Sequence, residues 1–432
     1  MWIYNTQSRK KEELKPLKDG KVGIYACGPT VYNYIHIGNA RPMIMFDVLR
    51  RYLEWRGYEV AFVQNFTDID DKMINRAKEE GITVNELGQR FIEEYFKDAE
   101  ALGVRKATVH PKATSHIQQI IDLVSRLMER GLAYQSADGV YFDTQAFRGY
   151  GKLSGQNLED LESGARIQVD ENKRHPMDFA VWKARKEGEP YWDSPFGQGR
   201  PGWHIECSAM SMQYLGETID IHCGGQDLIF PHHENEVAQS EGATGKPFAK
   251  YWMHNGFINI NNEKMSKSAG NFFTVREIGE QFDLEAVRYF MLAAHYRSPL
   301  NFSKELIEQS KSALERLYNA QANYEFLLSS GGAADREPND AERAFLEAIP
   351  GIRERFIAAM DDDMNTAGAL GAIFDLVKEG NIIAVSGASK QAVQAALDAL
   401  GELTGVLGLL YHKKTASQDD VQELVQQRQE AR

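Results

Sequence analysis

The chain has 432 residues, 43% of them hydrophobic and 26% charged, and a formal net charge of -13. That is length for several domains with cores of their own, in the composition of a soluble globular protein. Three cysteines exclude a disulfide framework, no apolar run is long enough for a signal peptide or a membrane span, and the acidic balance lacks the basic footprint of a non-specific nucleic-acid binder. A cytoplasmic protein with reduced thiols and no membrane association is expected.

In chain order, Val22, Ile24 and Ala26 form a short buried-strand pattern, and Met43, Ile44, Phe46, Val48, Leu49, Tyr52 and Leu53 suit a helix packed on a sheet. Between them runs Tyr25-Ala-Cys-Gly-Pro-Thr-Val-Tyr-Asn-Tyr-Ile-His-Ile-Gly-Asn-Ala-Arg41, which sets the thiol of Cys27 and the polar group His36-Ile-Gly-Asn39 on either side of one loop. The loop joins the carboxyl end of a strand to a helix start. Backbone N–H groups and the helix dipole favour anions there, on the ligand side of an open α/β sheet.

Val60 to Asn65 reads as a second strand and completes a βαβ unit. The polar run Thr67-Asp-Ile-Asp-Asp-Lys72 at its end is a site candidate or a solvated helix start. Thr83 and Glu86 form a capping box that opens a helix to about Leu102, closed by Gly103. Ile117, Ile120, Ile121, Val124, Leu127 and Met128 recur at helical spacing until Gly131, and Leu132–Tyr134 with Val140–Phe142 flank Ser136–Gly139 like a hairpin.

From Gly149 to Arg200 glycine, proline and charge interrupt any period, as in an inserted subdomain. Gly256–Ile260 reads as a strand leading into the glycine-ended, lysine-bearing loop Asn261–Gly270. From about Phe302 the pattern is helical, with Asp361-Asp-Asp-Met-Asn365 at a helix junction and Ser329–Ala334 as a flexible linker.

Two groups of residues carry chemistry. In Pro231-His-His-Glu-Asn-Glu236, His232 and Glu236 are spaced to share one helix face, and Cys27 with Cys207 would complete a Cys2HisGlu set suited to zinc. His233, Cys223, His204 and His222 are rival donors, and a buried cysteine is often only a small hydrophobe. For a nucleotide, His36 and Asn39 offer donors to phosphate, Lys264 and Lys267 in Lys264-Met-Ser-Lys-Ser268 offer mobile cations, and Asp227 after Gly224-Gly-Gln offers a carboxylate to ribose hydroxyls. Taken singly, these last features are an exposed lysine loop and an ordinary turn.

Together, Tyr25–Tyr32 with His36-Ile-Gly-Asn39, Asn65–Lys72, Gly202-Trp-His-Ile-Glu-Cys-Ser-Ala-Met210, Gly224–Glu236 and Lys264–Ser268 occur in an order that resembles the bacterial cysteinyl-tRNA synthetases, a branch of the class I aminoacyl-tRNA synthetases. Asn39 departs from the wider His-x-Gly-His pattern of the class but agrees with the cysteine branch.

The resemblance implies an α/β fold: a Rossmann-type parallel-sheet catalytic domain split by an insertion, then a stem-contact region and an all-α bundle. The expected boundaries are 1–115 and 196–250 for the catalytic halves, 116–195 for the connective insertion, 251–305 for the stem-contact region and 306–410 for the tRNA-binding bundle. Residues 411–432 form a tail where relatives would continue into an anticodon-reading domain.

It also implies ATP-dependent activation of L-cysteine and its transfer to tRNA(Cys) by a monomer. Cys27, Cys207, His232 and Glu236 would hold one Zn2+, and Mg2+ would arrive with ATP. His36, Gly38, Asn39, Asp227, Lys264 and Lys267 would bind ATP; Gly28, Thr67 and Trp203 would surround the amino acid; Cys223 would be structural. Two alternatives use the same residues: a cysteine ligase with an amino-sugar acceptor, as in mycothiol synthesis, and a catalytically silent tRNA-binding paralogue.

Overall fold

The computed structural model describes residues 1–156, 171–260 and 273–412, together with the backbone of 263–264. The chain opens with an antiparallel pair, β1 (Trp2–Asn5) and β2 (Lys10–Glu13). It then enters a βαβ unit of β3 (Lys21–Ala26), α1 (Ile37–Trp55) and β4 (Glu59–Gln64). The strand and helix expectations for this stretch hold, and β3 and β4 are parallel.

Side-chain alternation along β3 decides what meets what. Val22, Ile24 and Ala26 join the apolar cluster under α1, with Ile44, Phe46 and Leu49. Tyr25 and the following Cys27 belong to the cluster on the opposite face, with Cys207 and Val237.

Next come α2 (Asp71–Glu80) and α3 (Val84–Ala101), the latter opened by the expected Thr83/Glu86 capping box and followed by Gly103 at φ 66. Val109 and Lys112 bridge in parallel to Val63 and Phe66, extending the sheet edge. Helix α4 (Ile117–Glu129) precedes the expected hairpin, β5 (Ala133–Ser136) and β6 (Gly139–Phe142).

The stretch that lacks periodicity in the sequence nonetheless supplies β7 (Phe179–Ala184) and β8 (Gly199–Pro201), which join the hairpin in a four-stranded antiparallel sheet. Strands this short, separated by a long polar connection, leave little alternation to read. Asp71 on α2 is ion-paired to Lys183 and Arg200 of this sheet.

The chain returns through α5 (Trp203–Leu215), β9 (Ile219–Gly225), a helical turn over Ile229–His233, α6 (Glu234–Thr244) and β10 (Ala249–Asn255). The main sheet has the order β10-β9-β3-β4, all parallel. Where one strand is expected over 256–260, β10 ends at Asn255 and a separate β11 (Ile258–Ile260) follows. Strand β11 pairs antiparallel with β12 (Glu263–Lys264) and parallel with β13 (Leu300–Phe302). Between them lie α7 (Val275–Gly279) and α8 (Leu284–Leu292). The expected loop over 261–270 lies, apart from Glu263 and Lys264, outside the described residues.

The helical end consists of α9 (Lys304–Ser329), α10 (Asp340–Asp361), α11 (Thr366–Ile383) and α12 (Lys390–Leu407). Its apolar residues are continuous with the cluster under α1. Ser329–Ala334 is no flexible linker: Ala333 is buried, its N–H donates to the carbonyl of Leu327, and that of Ala334 donates to Ala388. The Asp361–Asn365 junction holds Asp363 and Met364 at positive φ, 59 and 54. The buried Asp363 carboxylate accepts from Tyr4 N–H, Tyr296 O–H and Arg297 Nε–H, and that network holds the unusual backbone in place.

Candidate active site and metal centre

A cavity of about 720 Å3 opens at the carboxyl ends of the parallel strands. Cys27, Gly28 and Thr67 line it from the ends of β3 and β4, Gly38 and Asn39 from the start of α1, and Trp203 and Cys207 from α5. Asp227 and His232 line it from the segment after β9. This placement follows from the parallel sheet, whose strand ends meet helix starts on one side.

At the cavity floor four side chains distant in sequence converge: one donor atom each from Cys27, Cys207, His232 and Glu236 lies within 4.8 Å of the others. The two sulfurs are 3.8 Å apart, Cys27 Sγ is 3.4 Å from Glu236 Oε1, and His232 Nε2 is 3.1 Å from that same oxygen. A tetrahedral zinc with bonds of about 2.0–2.3 Å needs donors roughly 3.3–3.8 Å apart, so both spacing and donor chemistry fit.

The outer atoms are also engaged. His222 Nε2 lies 2.8 Å from Glu236 Oε2, and His204 Nδ1 lies 2.9 Å from His232 Nδ1, contacts that orient a ligand's free face. A second grouping, Cys27 with His222, His233 and Glu236, shares two of these donors. It is the poorer site for a substrate, because of its four residues only Cys27 lines the cavity, whereas Cys27, Cys207 and His232 of the first set do. Cys223 faces the α1 side of the sheet, its sulfur 3.5 Å from the Tyr25 carbonyl, and is far from a ligand role.

The electrostatics favour anionic Glu236 and Cys207, while at His232 burial is outweighed by Cys207 and Glu236, which push it up to about 10, so that a metal there would have to displace its proton. Burial opposes ionisation of Glu236, but the His222 and His232 imidazoles overcome it and hold the carboxyl at about 2. The Cys27 thiol, donating to the Cys207 sulfur, pulls Cys207 down to about 6 against its burial. Burial and then Cys207 push Cys27 well up, so the pair gives up its first proton at Cys207.

The nucleotide group is brought together in part. His36 caps α1 in extended conformation, and its N–H donates to Asn39 Oδ1 at 3.2 Å, so Asn39 is held by the helix start it belongs to. Asp227 lies across the cavity mouth from them in the turn after β9; a Cβ at Gly225 would come within 2.3 Å of its Oδ1. Lys264 has its backbone on β12, paired with Asn259, and Lys267 lies outside the described residues.

Trp203 is 41% exposed and lays its ring 4.4 Å from that of His232, while Thr67 is buried beside the cavity wall. Gly28 is confined: a Cβ there would sit 1.7 Å from the Asn65 carbonyl oxygen. The sequence reading missed Gln64 and Asn255, which also line the cavity. Both are the last residues of parallel strands, and that rule of placement could have found them.

Residues 13–312 match the family described as tRNA synthetases class I (C) catalytic domain, and residues 355–411 match the DALR domain. Among solved structures, the fold is similar to Mycobacterium tuberculosis methionyl-tRNA synthetase in complex with methionyl-adenylate, with TM-score 0.65 and 18% identity over 90% of this chain and 89% of that one. It is likewise similar to the LeuRS of Agrobacterium radiobacter K84 in a ternary complex with tRNA, with TM-score 0.65 and 12% identity over 92% and 85% of the two chains. Fold and family match thus define a class I aminoacyl-tRNA synthetase.

The sequence relatives narrow this further. The chain is 59% identical to the cysteine–tRNA ligase of Clostridioides difficile, covering 100% of this chain and 93% of that one. It is 58% identical to the cysteine–tRNA ligase of Caldicellulosiruptor saccharolyticus, covering 100% and 92%. The chain belongs to the cysteine–tRNA ligase family.

Proposed function

We propose that the protein activates L-cysteine with ATP and transfers the cysteinyl group to tRNA(Cys), selecting its amino acid through a zinc ion held by Cys27, Cys207, His232 and Glu236. The observation that carries this reading is the convergence of those four donors at the floor of a cavity whose mouth is the start of α1. Bound there, zinc would take the substrate's sulfur as thiolate, which a thiol of pKa about 8.5 yields readily and an alcohol does not. Shape alone separates near-isosteres such as cysteine and serine by only a few kcal/mol.

In the first step a carboxylate oxygen of cysteine attacks the α-phosphorus of ATP, and the bond to the β-phosphate oxygen breaks to release pyrophosphate. His36, Asn39, Lys264 and Lys267 stabilise the charge that shifts onto the phosphates, with Mg2+ carried in by ATP. Gly38 lets the backbone approach them, and Asp227 accepts from the ribose hydroxyls. Gly28, Thr67 and Trp203 enclose the amino acid between floor and phosphates. In the second step a hydroxyl of the terminal ribose of tRNA attacks the acyl carbon and AMP leaves.

Residues 1–115 and 196–250 serve as the two halves of the catalytic domain, 116–195 as its connective insertion, 251–305 as the stem-contact region and 306–410 as the bundle that packs on tRNA. The protein acts as a cytoplasmic monomer; no helix among the described residues is long and apolar enough to cross a membrane. The test is zinc content together with ATP–pyrophosphate exchange driven by cysteine or serine. Cys207→Ala should lose both the metal and cysteine-driven exchange, and a metal-free variant exchanging at the unmutated rate would refute the assignment.

A further inference from the structure

Arg41 lies in the second turn of α1, just beyond His36-Ile-Gly-Asn39, and is fully buried. Its Nη1 donates to the carbonyls of Gly256 at 2.8 Å and Phe257 at 3.0 Å, and its Nη2 to that of His295 at 3.2 Å. Burial alone lowers it to about 10, so it stays charged at neutral pH, and no carboxylate among the described residues pairs with it. A buried cation that meets only carbonyls, and leaves its Nε–H without a partner, is costly, and an apolar side chain of similar length would serve packing better.

Its acceptors explain the expense. Gly256 and Phe257 line the same cavity as Gly38 and Asn39 and lead directly into β11, whose partner β12 carries Lys264. Gly256 is itself wedged: its N–H donates to the Tyr296 carbonyl at 2.8 Å, and a Cβ would meet the Ser298 carbonyl oxygen at 2.6 Å. One guanidinium fork therefore ties α1 to the Gly256–Phe257 peptide, and both segments line the cavity. Lysine, whose three N–H donors all leave one nitrogen, cannot reproduce the spread of a planar fork that meets these carbonyls from two nitrogens.

We infer that Arg41 is a positioning residue for adenylate formation: it locks the start of α1 to the Gly256–Phe257 peptide, so that groups from both segments close on one triphosphate. The inference rests on the reading that ATP lies over the start of α1.

The experiment compares Arg41→Lys, Arg41→Met and Gly256→Ala with the unmutated, zinc-loaded full chain. It measures ATP–pyrophosphate exchange, cysteine affinity by tryptophan fluorescence and the melting temperature. An interaction realised in the transition state shows as a loss of kcat, so all three variants should lose roughly tenfold or more in kcat while cysteine affinity stays within about twofold. Gly256→Ala keeps Arg41 but displaces its acceptors, and with Arg41→Lys it decides the matter should Arg41→Met not fold.

Exchange within about twofold of the unmutated rate in Arg41→Lys and Gly256→Ala overturns the proposal, as does a rate loss that runs in parallel with cysteine affinity and melting temperature. His36→Ala separates the two levels. If it leaves exchange unchanged, the placement of ATP falls and the role of Arg41 with it. If it slows exchange and the Arg41 variants do not, only the role of Arg41 falls.

Discussion

The Nε2 of His222 lies 2.8 Å from Oε2 of Glu236, with both side chains fully buried. The contact leaves the other carboxylate oxygen, Oε1, facing Cys27 at 3.4 Å and His232 at 3.1 Å. His222 itself is held by stacking on Trp252, ring centroids 4.4 Å apart and planes 21° from parallel. A carboxylate so aimed needs no reorganisation to bind an ion. His222→Ala should therefore weaken zinc binding by about 10- to 100-fold, the usual effect of losing an outer-sphere partner. Competition with a chromophoric chelator measures this, and affinity within twofold of the unmutated chain would show that His222 does not orient the ligand.

Removal of the metal should silence the enzyme without unfolding it. The donors sit just beyond β3, on α5, in the turn Ile229–His233 and on α6, and β3, α5 and α6 are each anchored by apolar residues such as Ile24, Met210 and Val237, not by the donors alone. Dialysis against a chelator should lower cysteine-driven exchange in proportion to zinc lost, with little change in far-ultraviolet circular dichroism, and zinc should restore it. Loss of helical signal in step with loss of zinc would instead make the site a folding element, as in zinc fingers.

Gly28 is required by packing. Its N–H donates to Asn65 Oδ1 at 2.9 Å, and the place of a Cβ is taken by the Asn65 carbonyl oxygen, 1.7 Å away. The carbonyl belongs to the residue directly after β4, so it does not give way cheaply. Gly28→Ala should cost about 1–3 kcal/mol or more in stability, as overpacking does. Because the strand ends must then part, cysteine affinity should fall as well. Urea unfolding and equilibrium binding on the same sample test both; a variant unchanged in stability would place the Gly28–Asn65 contact in error.

The parts of this site that the sequence discloses are those where one local rule suffices. Alternation in Val22-Gly-Ile-Tyr-Ala26 places the strand and, two residues on from Tyr25, the face that Cys27 takes. The spacing of His232 and Glu236 puts their donors 3.1 Å apart. What stays hidden is whatever depends on which strand lies beside which. The supporting contacts of His222 and His204 exist only because β9 sits next to β3 and α5 crosses α6. The antiparallel sheet of β5–β8 is hidden for another reason: its last two strands are short and far apart in sequence, so no period of two is sustained. Arg41 is hidden most completely, because all of its acceptors are carbonyl oxygens, which no residue type announces.

Helix α12 is tied to α1 through the arginine of a buried ion pair between α8 and α1. Arg288 on α8, itself fully buried, donates from Nη2 to Asp47 Oδ2 at 2.7 Å, from Nε to the Leu407 carbonyl at 3.0 Å and from Nη1 to that of Leu102 at 3.1 Å. It thus joins α1, the end of α3 and the end of α12. Burial alone would raise the Asp47 carboxyl, but Arg288 and Arg51 outweigh it and lower it below its ordinary value. A carboxyl depressed in the folded state stabilises at pH values above its unfolded pKa of about 3.9, and that contribution is lost as pH falls through the lower folded value. Asp47→Asn leaves Arg288 buried without its anion and should cost about 3–5 kcal/mol at pH 7. The gap between the variant and the unmutated chain should narrow as pH drops below about 4, because the unfolded state of the unmutated chain then takes up a proton that the folded carboxyl does not, whereas the variant has no carboxyl there to titrate. Urea midpoints measured from pH 7 to pH 3 give both quantities. A gap that stays constant across that range would mean that shape, and not charge, is what Asp47 supplies at this junction.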